Sequence, residues 1–173
     1  DHNMDGFMDD PLTKQINLLH RWDRKSNNGG ITRIGVQYID ESRVGGQMDY
    51  EDGMAHNTSN PYGVNIENRR LTGFFKNGIV FQDPNEASVA VLGNVSSHRL
   101  RSMYGLNLYN ADETSFYASL VYSSNIRSSE KHHTTPGSSL NGAWLDETLN
   151  ARSMDYQNVV PGIYTEYSFK PTP

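Results

Sequence analysis

Residues 114–126 read TSFYASLVYSSNI. Phe116, Ala118, Leu120 and Tyr122 fall on one side of an extended chain, and Ser115, Ser119 and Ser123 fall on the other, because successive side chains of a strand point to opposite faces. Period two marks a strand with one apolar and one polar face. A helix would need apolar residues three and four apart, and that spacing is nearly absent from the chain.

The same alternation recurs on both sides of this segment. In 12–24 (LTKQINLLHRWDR) it sets Ile16, Leu18 and Trp22 against Gln15, Asn17 and Arg21. In 31–40 (ITRIGVQYID) it sets Ile34, Val36 and Tyr38 against Arg33, Gly35 and Gln37. Residues 69–81 place Leu71, Phe75 and Ile79 together, but Asn77 falls among them, so a bulge is expected there. Residues 88–97 align Val89, Val91 and Val95, 139–145 make a shorter and weaker strand, and 159–169 align Ile163, Thr165 and Tyr167. The expectation is an all-β chain of about seven antiparallel strands, most near the roughly 9–11 residues that cross a bilayer when tilted.

The connections decide between architectures. Long segments are expected near 1–11, 41–67, 98–113 and 146–158, and short turns near 25–30, 82–87 and 127–138. Long and short alternate, as in an outer-membrane barrel with tight periplasmic turns and long exterior loops. Aromatics such as Trp22, Tyr38, Phe81 and Tyr167 lie near strand ends, where interfacial girdles form. The opposite face is rich in Gln, Asn, Ser, Arg and Lys, which suits a wet lumen better than a dry core. The alternative is a soluble β-sandwich or jelly roll with one wet face.

Composition narrows the classes further. The chain has 173 residues, 35% hydrophobic, with 10 Tyr and 15 Gly, and a mean hydropathy of -0.69. A net charge of -5 with no basic stripe points away from nucleic acid. With no Cys there is no disulfide framework and no thiolate metal site. No apolar run reaches the roughly 18 residues of a membrane helix. The chain opens mid-motif at Asp1 and ends on KPTP, as a piece of a longer protein would.

Five stretches carry a resemblance: DGFMDDPLTKQINLLHRW, VGGQMDY, NPYGVNIENRR, YGLNLYNADETSFYASLVYSS and VPGIYTEYSF. In this order they resemble consecutive barrel segments of TonB-dependent outer-membrane receptors, most of all the compact receptors for vitamin B12 (cobalamin) and ferric siderophores. Such receptors are barrels of about 22 strands with a plugged lumen. The resemblance therefore implies a transmembrane β-barrel segment, about a third of the wall, with no plug domain in this chain. It implies the outer membrane of a Gram-negative bacterium and energised uptake of a scarce large ligand, a corrinoid or a ferric siderophore. The implied partners are the rest of the barrel and its plug, an inner-membrane energy-coupling protein reached through an upstream segment, outer-membrane lipid and a surface lipoprotein. The alternative stays a soluble, calcium-dependent extracellular β-sandwich module binding glycan or protein. A defective or truncated gene product is a third reading.

The opening DHNMDGFMDDP contains D-x-N-x-D-G, the front half of a calcium loop. Asp1, Asn3, Asp5, the carbonyl of Phe7 and Asp9 are the candidate Ca²⁺ ligands, although Leu12 stands where an EF-hand places its closing Glu. The competing reading is an acidic turn in which Asp, Asn and Gly serve the backbone. Candidate ligand-binding residues in the other long segments are Tyr50, Tyr62, Tyr104, Asn107 and Tyr109, since Tyr offers rigid amphipathic contact area. Asp49, Glu51 and Asp52 could share a cation. His20, Asp23 and the many serines have no catalytic motif context, so an enzyme is not expected.

Overall fold

The computed structural model describes residues 4–54, 57–127 and 129–171. Its strands are β1 (Leu12–Lys25), β2 (Gly30–Gly46), β3 (Gly63–Val80), β4 (Ser88–Tyr104), β5 (Asn107–Ile126), β6 (Ser129–Leu149), the two-residue β7 (Arg152–Ser153) and β8 (Tyr156–Phe169). They form one antiparallel sheet in chain order, with β7 and β8 both paired to β6. No second sheet packs on it among the described residues.

Several strands run longer than the alternation marks. The segment expected as a loop over 98–113 is instead the top of a hairpin: β4 runs to Tyr104, β5 starts at Asn107, and only Gly105 and Leu106 connect them. Gly105 has φ +60°, and Leu106 does not share that left-handed geometry, as in a type II′ turn. The 41–67 connection shrinks to residues 47–62, the 146–158 segment is mostly strand, and β6 begins at Ser129 inside the expected 127–138 turn. The physical reason is common to all. Period two reports contrast between a wet and a dry face, and where both faces carry polar side chains the contrast vanishes although the ladder continues. Asp40–Arg69 (3.0 Å) and Arg99–Asp112 (2.9 Å) are cross-strand ion pairs in such a stretch. The bulge expected at Asn77 is absent: Asn77 pairs in register and its amide donates to Thr32 Oγ1 at 2.8 Å.

The register resolves the two faces. One carries Leu18, Trp22, Ile34, Val36, Leu71, Phe75, Val91, Val95, Phe116, Leu120, Leu140, Trp144, Val159 and Ile163, placed by direct cross-strand pairing. The other carries Gln15, Asn17, Arg33, Gln37, Arg70, Asn94, Ser96, Ser115, Ser119, Asn141 and Glu166. The apolar face is open: Leu18 is 61% exposed, Val95 57% and Ile163 93%. No large side chain is fully buried among the described residues. The chain's accessible surface is 12192 Å², against about 8,500 Å² for a compact monomer of its mass. A single layer with no core of its own needs something to cover its apolar side.

Aromatic rings fill the gaps left by glycines directly across the ladder. Phe74 lies over Gly35, Phe116 over Gly142 and Tyr164 over Gly137. His132 and His133 face opposite sides, as adjacent strand residues must. His132 stacks on Phe169 with centroids 5.0 Å apart, while His133 bonds Ser123 and Asn125.

The apolar band does not follow the hydrogen-bond rows. The row through Asn17, midway along the β1 band from Leu12 to Trp22, passes Ile39, Arg70, His98, Glu113 and Leu145 to Tyr156. On β8 the band runs from Val159 to Phe169, centred about eight residues beyond that row. At about 3.3 Å per residue and 4.8 Å per strand, the band is oblique to the rows by about 40°.

Candidate functional site

The chain start, the 47–62 connection, the Gly105–Leu106 turn and the Asn150–Ala151 turn all lie at one end of the sheet, as the antiparallel order requires. Residues 6–8 extend the β1–β2 ladder there: Met8 N–H donates to Gly46 O (2.8 Å) and Met48 N–H to Gly6 O (2.9 Å). Gly46, with φ +124° and Tyr62 O only 2.3 Å from where a Cβ would sit, turns the chain into the 47–62 connection.

Tyr50, Tyr62, Tyr104 and Asn107 line one cavity of about 460 Å³. Tyr50 is 5% exposed, with its ring pressed on Gly63. Burial pushes its phenol above the ordinary value, and the charge of Asp52 adds to the shift. Tyr62 covers Gly105 and tilts against Phe7, with centroids 6.4 Å apart. Tyr62 and Tyr104 are half-exposed. Tyr109 does not join them: it lies outside this cavity, and its hydroxyl donates to Glu147 Oε2 at 2.7 Å. It braces β5 against β6.

Amides hold the cavity walls. Gln47 Oε1 accepts from Tyr62 N–H at 2.6 Å, and Asn57 Oδ1 accepts from Ser59 and Asn60 N–H, both at 3.0 Å. Asn107 Oδ1 accepts from Asn150 Nδ2 at 2.8 Å, while Asn150 Oδ1 takes Leu108 N–H at 2.8 Å. Gln47, Asn57 and Asn150 were not singled out in the sequence. Their signal, an amide beside a turn, is shared by many surface residues. A second cavity of about 340 Å³ shares Tyr50 and Met103 with the first and is also lined by Met54, Asn65, Glu67 and Arg101 among others. Asn65 donates to Asp52 there, and its Oδ1 is buried without a hydrogen-bond partner. The arrangement offers ring faces and N–H donors, the equipment of non-covalent binding.

Of the calcium candidates, Asp1 and Asn3 lie outside the described residues. Asp5 Oδ1 accepts from Phe7 N–H at 2.8 Å, the Asx-turn geometry of the competing reading. Among the described residues no three acidic or histidine side chains are grouped to hold a metal. Asp52, of the second acidic group, is bonded to Asn65.

A scan of protein-family models, a search of curated proteins and a search of solved structures each returned no match.

Proposed function

We propose that this chain forms part of the wall of a TonB-dependent outer-membrane receptor that takes up a scarce, large ligand. In this reading the apolar face meets acyl chains and the polar face meets a wet lumen and plug. The 47–62 connection and neighbouring turns sit outside and bind. The barrel is completed and energised by other polypeptide. Corrinoids and ferric siderophores are the ligand classes the sequence resemblance supports.

The observation that carries the reading is the single-layer sheet with an open apolar face on one side and a polar face on the other. A sandwich needs a second sheet over the apolar face, and none is present among the described residues. The obliquity of the band adds support: strands of transmembrane barrels tilt by about 35–45°, close to the 40° drift.

The two tryptophans test it. Trp22 and Trp144 are the only ones in the chain, and both lie on the apolar face. In vesicles whose acyl chains carry bromine, the share of the refolded full-length protein's fluorescence that is lost in Trp22→Phe and Trp144→Phe should be strongly quenched. Emission unaffected by brominated lipid, from a protein that folds without detergent, would reject the membrane reading.

A further inference from the structure

The 460 Å³ cavity at the loop end has a chemical character that bears on its ligand. No Asp, Glu, Lys, Arg or His is among its described lining residues. Three of its amides have their carbonyl oxygens occupied: Gln47 by Tyr62 N–H, Asn57 by the backbone of Ser59 and Asn60, and Asn107 by Asn150. An amide whose oxygen is tied down presents its NH₂ group, so these three offer N–H donors. The Tyr62 and Tyr104 rings, half-exposed, supply apolar faces.

The charge carried by the described residues of the connection is negative. Segment 47–62 carries Asp49, Glu51 and Asp52 with no Lys or Arg, and the YGLN turn at 104–107 is uncharged. An anionic ligand would meet this charge with no cation among the described lining residues, since Arg101 in the adjoining cavity is paired with Asp112.

We propose that this cavity binds an uncharged, oxygen-rich ring ligand, accepting hydrogen bonds from Gln47, Asn57 and Asn107 while its flat side rests on Tyr62 and Tyr104. Pyranose sugars and the amide-fringed rim of a corrinoid share that chemistry. A cavity of this size holds one or two sugar rings, or one edge of a macrocycle. This deepens the uptake reading and rests on it for the cavity's exterior position. Of the two ligand classes named above, it favours the corrinoid over anionic ferric chelates.

The test uses the full-length gene product in detergent, titrated calorimetrically with cyanocobalamin, with the neutral oligosaccharide maltohexaose and with ferric citrate. One neutral probe should bind saturably, and which one identifies the source of the chemistry. Ferric citrate should neither bind here nor compete. Asn107→Asp is the informative variant. It keeps an oxygen to accept from Asn150 Nδ2 but replaces the presented NH₂ with negative charge, so affinity should fall about ten-fold or more. Tyr104→Ala should weaken binding by a similar factor, and Tyr109→Phe should leave it unchanged. The proposal is overturned if neither neutral probe binds, if ferric citrate displaces the neutral one, or if Asn107→Asp binds as the parent does. Failure of the uptake reading would look different: ligand bound normally by the purified protein, but no accumulation in cells expressing it.

Discussion

At Gly93 the sheet has room for a hydrogen and little else. A Cβ there would sit 2.8 Å from the backbone oxygen of Tyr117 and 2.9 Å from the Phe75 ring. Backbone cannot step aside, so Gly93→Ala should destabilise the folded protein by about 1–3 kcal/mol. Gly73, one row away on the same face, has nothing within 4 Å of its Cβ position. Gly73→Ala should be neutral or stabilise by about 0.4–1 kcal/mol through the unfolded state. Urea unfolding in micelles, read by tryptophan fluorescence, separates the two. The Asn150–Ala151 turn carries a different strain. Both residues are left-handed, at φ +48° and +67°, as type I′ requires, and the second position favours Gly. Ala151→Gly should stabilise by about 1 kcal/mol, measured in the same unfolding assay. At this scale the sequence was partly legible. Tyr50, Tyr62, Tyr104 and Asn107 share a cavity because each flanks a connection at the same end of the sheet. Tyr109 was grouped with them by proximity in sequence, but the pleat and the Glu147 carboxylate fix it elsewhere.

Strands reveal which face is which. Ile163 on β8 is 93% exposed on the apolar side, and Asn94 on β4 is exposed on the polar side. On the proposed membrane reading, Ile163→Lys should cost about 2–4 kcal/mol, the penalty at a bilayer midplane, whereas Asn94→Lys should cost little. Equal penalties in lipid refolding titrations would contradict the face assignment. The ion-pair row above the band matters less. Arg99 and Asp112 side chains are 61% and 44% exposed, and Arg101 also pairs with Asp112. A double-mutant cycle on Arg99 and Asp112 should return less than about 1 kcal/mol, shrinking further with salt. This region was read as a loop because Glu67, Arg99, Arg101, Asn110 and Asp112 replace apolar side chains on the band's own face, while Asn68, His98 and Glu113 keep the opposite face polar as well. Only hydrogen bonding, with Asn68 facing Leu100 and Arg101 facing Asn110, identifies it as strand.

For the whole molecule the decisive quantity is uncovered surface. A sheet with 12192 Å² accessible and open edges at β1 and β8 leaves apolar side chains and unpaired strand-edge backbone groups in water. Expressed alone without detergent, residues 1–173 should aggregate. A soluble module of this length would instead elute as a monomer with a radius of gyration of about 16 Å. Small-angle scattering on a chromatographed sample distinguishes the outcomes, and a compact, stable monomer would overturn the open-sheet reading.

The strand class and the identity of the apolar positions on 12–24, 31–40 and 114–126 were determined by the sequence alone, because side-chain alternation is a local property of an extended backbone. Strand length and the cavity depended on tertiary structure. Above the apolar band no solvent contrast marks the strands, and ladder pairing carries them to Tyr104 and Leu149. The cavity joins residues of the 47–62 connection to residues of the Gly105–Leu106 turn, brought together only when the antiparallel sheet aligns its turns at one end.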